Sequence, residues 1–127
     1  MSKNANLFFR ILTWLLIAGV VIQVLLAGLT VVVGGFDWET HVTLGHILAL
    51  PLVLMLITMY VAKADKQIKN TTWILFITYV LQADVLIMRF VREGGPPLSY
   101  LSALHPVLAL IDFWLAMRLL GLTKAAA

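Results

Sequence analysis

Four long apolar stretches, separated by short polar segments, dominate the pattern along this chain. The first, residues 11–35, contains no charged side chain. Runs of about 18 or more residues with almost no charge are typical of membrane-spanning helices. The pattern therefore predicts an all-α membrane protein in which residues 1–127 form a single domain, a bundle of four transmembrane helices. We expect the spans at about residues 11–33, 42–62, 71–91 and 100–120.

The composition also favours a membrane protein. Hydrophobic residues make up 62% of the chain and charged residues 12%, whereas a soluble domain is roughly half apolar and a quarter charged. The sequence contains no cysteine, which excludes a disulfide, a thiolate metal site and covalent attachment of a c-type haem.

Basic residues are divided unevenly between the two ends of the predicted bundle. The termini and the segment between the second and third spans share one side, which carries seven of the nine Lys and Arg residues. Only Arg89 and Arg92 fall on the other side. The positive-inside rule then places both termini in the cytoplasm. We expect a multi-pass protein of the bacterial plasma (inner) membrane, with its three histidines toward the outer face.

The histidines are the main candidates for chemistry, because ionisable side chains at membrane depth are costly and rare. His46 and His105 each lie about one turn into an apolar span, the second and the fourth. We expect these two side chains to face one another. Either one alone is better explained as an interfacial residue hydrogen-bonded to a carbonyl or to lipid, and His41 as an exposed residue of a loop or helix end.

A shift of the sequence by 59 residues indicates an internal repeat of two helices. It superposes Trp14 on Trp73, Gln23 on Gln82 and His46 on His105, as pairs of scarce residues. Both halves would start on the same side, so they would be related by a pseudo-twofold axis along the membrane normal. The alternative is that spans of similar length align by accident.

A pair of histidines at one depth suits a haem, whose iron takes two axial ligands across a flat apolar slot. The predicted metal ligands are His46 and His105, and the predicted cofactor is haem b. Gly45 would leave room for the macrocycle edge. The remaining predicted cofactor contacts lie at the outer end, where propionates need charged or hydrogen-bonding partners: His41, Arg89, Arg92 and Tyr100. A zinc site is less favoured, because zinc usually takes three or four protein ligands.

The histidine placement, together with Ala27-Gly28-Leu29-Thr30 at the end of the first span, resembles one four-helix half of haem A synthase. The resemblance implies a bundle whose histidine pair, His46 and His105, holds a haem, with His41 as a possible substitute for His46. The chain differs from that family in having half the helices and no cysteine pair. It also looks like small, uncharacterised four-span bacterial membrane proteins.

Two further features concern polar residues. Asp112 lies two helical turns after His105, on the same face, and at that depth it needs a partner. Gln23 and Gln82 are expected to supply one.

Residues 36–40 are predicted to form an outer loop, and Thr71 or Thr72 to cap the third helix.

Three functions remain open at this point. The first is a b-type haem protein that acts in membrane electron transfer or as a haem-bearing accessory subunit. The second is a cofactor-free subunit, binding lipid or pigment, within a larger respiratory or photosynthetic complex. The third, a haem-modifying or quinone-reactive enzyme, is the least favoured, because no complete catalytic constellation is visible. The expected partners are the lipid bilayer and other membrane subunits, and nucleic acid is not expected.

Overall fold

Helices form all the secondary structure in the computed structural model, which describes residues 1–34, 37–82 and 103–125. The helices are α1 (Lys3–Gly28), α2 (Trp38–Val61), α3 (Lys66–Gln82) and α4 (Leu104–Ala125). A π-helical segment, Leu29–Val33, continues α1. Within the described ranges, three stretches are long and apolar enough to cross a membrane: Lys3–Val33, Trp38–Val61 and Leu104–Lys124. The prediction of an all-α membrane protein is confirmed at this level.

Large apolar side chains cover the outside of the bundle. Val32 is 82% exposed and Val61 79% exposed, and many other Leu, Ile and Val side chains are exposed along α1, α2 and α4. Helices that are apolar all round belong in a core or in lipid. The outer surface is therefore one that a bilayer would cover.

Two helices begin earlier than predicted, because aspartates cap them. Asp37 accepts a hydrogen bond from the backbone N–H of Thr40 (3.3 Å), so α2 starts at Trp38 and the predicted loop of residues 36–40 contributes its last three residues to the helix. Asp65 accepts from the backbone N–H of Ile68 (2.9 Å). The predicted cap at Thr71 or Thr72 is wrong, since both threonines are buried inside α3.

The helices form a ring in chain order. Helix α1 packs against α2 and α4, and α3 packs against α4 and α2. In the described part of the chain, α2 and α4 therefore face each other across the middle of the bundle, as do α1 and α3.

The apolar core fills the end of the bundle that holds the chain termini. It is built from the start of α1, the end of α2, the start of α3 and the end of α4, with Phe9, Leu52, Met55, Leu75 and Leu119 fully buried. At this end the Asn6 side chain donates to the carbonyl of Thr123 (2.9 Å). The core thins out toward the opposite end, where the histidines lie.

Candidate functional site

A cavity of about 700 Å³ occupies the end of the bundle away from the termini. All four helices line it, and its walls are mainly apolar. The lining residues include Val20, Val24 and Ala27 of α1, Leu48, Ala49 and Leu52 of α2, Phe76 and Val80 of α3, and Pro106 and Ala109 of α4. The polar groups on its wall include all three histidines and two glutamines. The cavity is thus an apolar chamber with a few polar groups in defined places.

Two histidines from facing helices meet in this cavity. His41 of α2 and His105 of α4 have ring centroids 6.0 Å apart, with the ring planes at 57°. Both residues are half-buried. The structure therefore brings together His41 and His105, and not the predicted pair His46 and His105, as ring neighbours.

Each of these rings is held through its Nδ1 atom by a backbone carbonyl. His41 Nδ1 lies 3.2 Å from the carbonyl oxygen of Gln23, and His105 Nδ1 lies 3.1 Å from that of Gln82. A carbonyl oxygen can only accept, so in both rings Nδ1 carries the hydrogen. In the neutral imidazole the other nitrogen, Nε2, then keeps its lone pair, and among the described residues neither Nε2 atom has a hydrogen-bond partner.

Further contacts hold His41 in place. The Gln23 amide nitrogen donates to the carbonyl of His41 (2.8 Å), so the two residues are joined twice. The Trp38 ring packs edge-on against His41, with centroids 5.4 Å apart. A Cβ atom at Gly45 would lie only 2.9 Å from the Gln23 amide nitrogen. Gly45 therefore makes room for the glutamine that positions His41.

His46 and Gly45 also line the cavity, as expected. His46 is exposed, however, and lies five residues from His41, about 140° around the helix. It reaches the wall of the cavity without joining the pair of rings. Gly45 gains an additional contact through its carbonyl, which accepts from the Tyr79 hydroxyl of α3.

A buried carboxyl group lies beneath His105. Asp112 has no exposed surface, and its two oxygens accept hydrogen bonds from the Thr78 hydroxyl and the Gln82 side-chain amide. The predicted pairing of Asp112 with Gln82 is confirmed. Gln23 does not pair with Asp112, because its amide is engaged with His41.

Three predicted cofactor contacts lie outside the described residues: Arg89, Arg92 and Tyr100. Sequence reasoning missed Thr78 and Tyr79, whose types are common in apolar helices. It noticed Gln23 and Gln82 as scarce polar residues, but not that their backbone carbonyls would hold histidines. The available signal was the 59-residue shift, which pairs Gln23 with Gln82.

The donor set limits the chemistry. Within residues 1–34, 37–82 and 103–125, no three or more His, Asp or Glu side chains converge on one point. The ring pair His41 and His105 offers two imidazoles, each of which, when neutral, keeps a lone pair on Nε2. Such a site suits a metal that brings its other ligands with it.

Residues 23–89 match the model of a protein family described as "Family of unknown function (DUF6220)". The match covers more than half of the chain. The protein belongs to this family. The DUF6220 match begins at Gln23 and includes His41, His46 and Gln82, whereas His105 and Asp112 lie beyond it. No curated protein and no solved structure matches the chain.

Proposed function

We propose that this protein binds haem b in its cavity, with His41 and His105 as the two axial ligands of the iron. The observation that carries the proposal is the pair of half-buried rings from facing helices, each fixed by a backbone carbonyl at Nδ1. Metal-binding histidines almost always donate their other ring N–H to a carbonyl, carboxylate or water, which sets the tautomer and the ring orientation. Both rings already have that support.

The separation of the rings fits two ligands on opposite sides of one metal ion. An imidazole nitrogen binds a metal at about 2 Å and its ring centre lies about 1 Å further, so trans rings have centroids about 6 Å apart. Two rings at a tetrahedral ion would have centroids about 5 Å apart by the same geometry. The observed 6.0 Å favours the trans arrangement.

The small number of protein ligands favours haem over a bare ion. A protein zinc site usually needs three or four ligands, and the described residues offer two. A haem iron takes four nitrogens from its own macrocycle and needs only axial ligands from the protein. The cavity of about 700 Å³ is within the range of small-molecule and cofactor pockets, about 300–1,000 Å³, and has the apolar walls typical of them.

Two histidine ligands also indicate what the site does. When both axial positions are filled by protein side chains, no position remains for oxygen or a substrate at the iron. The chemistry that haem supplies in such a site is transfer of single electrons. We therefore propose a role in membrane electron transfer, or as a haem-bearing subunit of a larger membrane complex.

Four spans and a two-helix repeat belong to the same proposal, supported by matching contacts in the two halves. The carbonyl of Gln23 binds His41 as the carbonyl of Gln82 binds His105. One layer below, Leu48 packs on Gly19 in the first half. At the corresponding positions of the second half, Asp112 binds Thr78. These pairs relate α1 to α3 by 59 residues, the shift that the proposed repeat uses. They relate α2 to α4 by 64 residues, so that the counterpart of His105 is His41.

For the orientation, we propose the bacterial inner membrane with both termini in the cytoplasm, from the seven-to-two division of Lys and Arg. A C-terminal fusion to a reporter that is active only outside the cytoplasm should be silent, and a cytoplasmic reporter should be active. The reverse pattern would invert the site relative to the membrane.

The haem proposal is tested by titrating the purified protein with hemin and recording visible spectra in both oxidation states. We expect a low-spin spectrum of b type. His41→Ala and His105→Ala should each abolish it or convert it to high spin, because each removes one axial ligand. His46→Ala is the matched control, because His46 lies on the same helix as His41 and lines the same cavity. It should keep the low-spin spectrum.

Each other result has a distinct meaning. Loss of the spectrum in His46→Ala but not in His41→Ala would restore the pair His46 and His105 and overturn the role of His41. No uptake of hemin by the wild-type protein would overturn haem binding and favour the cofactor-free, lipid- or pigment-binding subunit.

A further inference from the structure

We propose that Asp112 is a positioning residue for His105: it fixes Gln82, and Gln82 fixes the imidazole. The contacts form a continuous chain. His105 Nδ1 donates to the backbone carbonyl of Gln82 (3.1 Å), and the side chain of the same Gln82 donates to Asp112. The positioning itself follows from these contacts, whereas its redox consequence depends on the proposed function.

Asp112 links α3 to α4 next to the contact between the Gln82 carbonyl and His105. It lies seven residues after His105, about 10.5 Å along the helix, and Thr78 lies one turn before Gln82 on α3. By binding both Thr78 and Gln82, Asp112 fixes the rotation and height of α3 against α4. The carbonyl of Gln82 is thereby kept opposite the ring of His105.

The position of this acid is not explained by packing alone. A carboxyl group inside a membrane-spanning helix is costly and usually functional. Leu48 occupies the corresponding place in the other half, where it packs against the backbone of Gly19, so an apolar side chain can hold two helices there. Asp112 is not among the residues that line the cavity, so its effect on the site would act through Gln82.

Loss of the Asp112 contact should therefore loosen the bond between His105 and the Gln82 carbonyl. Free neutral histidine favours hydrogen on Nε2, so a released ring would shift toward that tautomer and lose the lone pair that binds metal. In the haem-loaded protein, a weaker bond at Nδ1 makes the imidazole a poorer donor. A poorer donor stabilises ferric iron less, so the reduction potential should rise.

The test measures the tautomer of His105 by nitrogen NMR of the full-length, histidine-labelled protein in alkaline solution without haem. Wild type should show His105 with hydrogen on Nδ1. Asp112→Leu and Gln82→Met should shift it toward the Nε2 form, while His41, held by Gln23, stays unchanged as an internal control. Asp112→Asn should behave as wild type, because the asparagine side chain can make both contacts. Its amide oxygen accepts from Gln82, and its NH₂ group donates to the Thr78 hydroxyl. That hydroxyl in turn donates to the carbonyl of Ile74 (3.0 Å).

The same variants are then loaded with hemin, and their reduction potentials are compared. A rise in Asp112→Leu and Gln82→Met but not in Asp112→Asn supports positioning. Equal rises in Asp112→Leu and Asp112→Asn would show an effect of charge and overturn the proposal, as would a His105 tautomer that no variant changes. If Asp112→Leu does not fold, Gln82→Met decides. If wild type binds no hemin, haem binding fails while the tautomer still decides the positioning role.

Discussion

The two halves of the bundle, α1–α2 and α3–α4, hold a histidine through the same contact at Nδ1. They differ in the contacts of the glutamine side chain and in the layer of residues below it. In each half a glutamine on the first helix accepts, through its backbone carbonyl, the Nδ1 hydrogen of a histidine on the second. The glutamine side chain then takes a different partner. Gln23 turns back to the carbonyl of its own histidine, whereas Gln82 reaches to Asp112.

The next layer down also differs. Between α1 and α2, Leu48 packs directly on the backbone of Gly19. Between α3 and α4, Asp112 takes a hydrogen bond from Thr78. Close packing on small residues and interhelical hydrogen bonds are the two main ways in which helices associate in membranes. The halves therefore present their histidines alike while holding their helices together by different means.

This difference shows which feature the site depends on. The contact to the carbonyl is the part that both halves share, and it alone sets the tautomer. The layer below can be apolar or polar, provided that it keeps the glutamine carbonyl in place. The two histidines thus make equivalent contacts at Nδ1 but have different surroundings.

The largest expected effect comes from filling the close contact of the apolar half. A Cβ atom at Gly19 would lie 2.1 Å from Leu48 Cδ2 and within 3 Å of two further atoms of that side chain. Leu48 is buried against α1 and can leave this position only by turning into the cavity that it lines. We expect Gly19→Val to lower the free energy of unfolding by about 2 kcal/mol, within the range for overpacking, measured by denaturant titration in detergent.

Gly28→Val is the control for that substitution, because a Cβ atom there meets no atom of the described residues within 4 Å. It carries the same change in helix propensity without the clash. Adding Leu48→Ala to Gly19→Val should recover part of the loss. Equal destabilisation by Gly19→Val and Gly28→Val would mean that α1 and α2 are not held by this contact.

The sequence allowed the helices, the shared end of the histidines and the pairing of Gln82 with Asp112 to be predicted. These follow from hydrophobicity, helical spacing and the cost of an unpaired carboxyl group. The apolar run predicts a second span that begins at about residue 42, which leaves His41 in a loop or at a helix end. Asp37 caps α2 early and brings His41 onto the helix; an aspartate there is a normal N-cap signal, but apolar periodicity alone does not register it.

A further reason explains why the sequence did not predict His41, and not His46, as the ring neighbour of His105. A single shift of 59 residues pairs His46 with His105. The contacts require a shift of 64 residues for the second helix of each half, and residue spacing within an apolar helix gives no sign of that change. The acceptors of both Nδ1 atoms are backbone carbonyls, which every residue has, so no side-chain pattern marks them.

The smallest expected effect comes from the polar half. Thr78→Val removes one of the two donors to Asp112 and keeps the shape of the side chain. Interhelical hydrogen bonds in membrane proteins contribute about 0.6 kcal/mol on average, and we expect a loss of that order in the free energy of unfolding. Gln82 still binds Asp112, so the contact between His105 and the Gln82 carbonyl should remain.

Thr58→Val is the matched control. The half-buried Thr58 hydroxyl donates to the carbonyl of Leu54 on its own helix (2.7 Å) and makes no interhelical hydrogen bond within the described residues. A loss in Thr58→Val as large as in Thr78→Val would show that the hydroxyl of Thr78 acts within α3, and that the polar half is held by Gln82 alone.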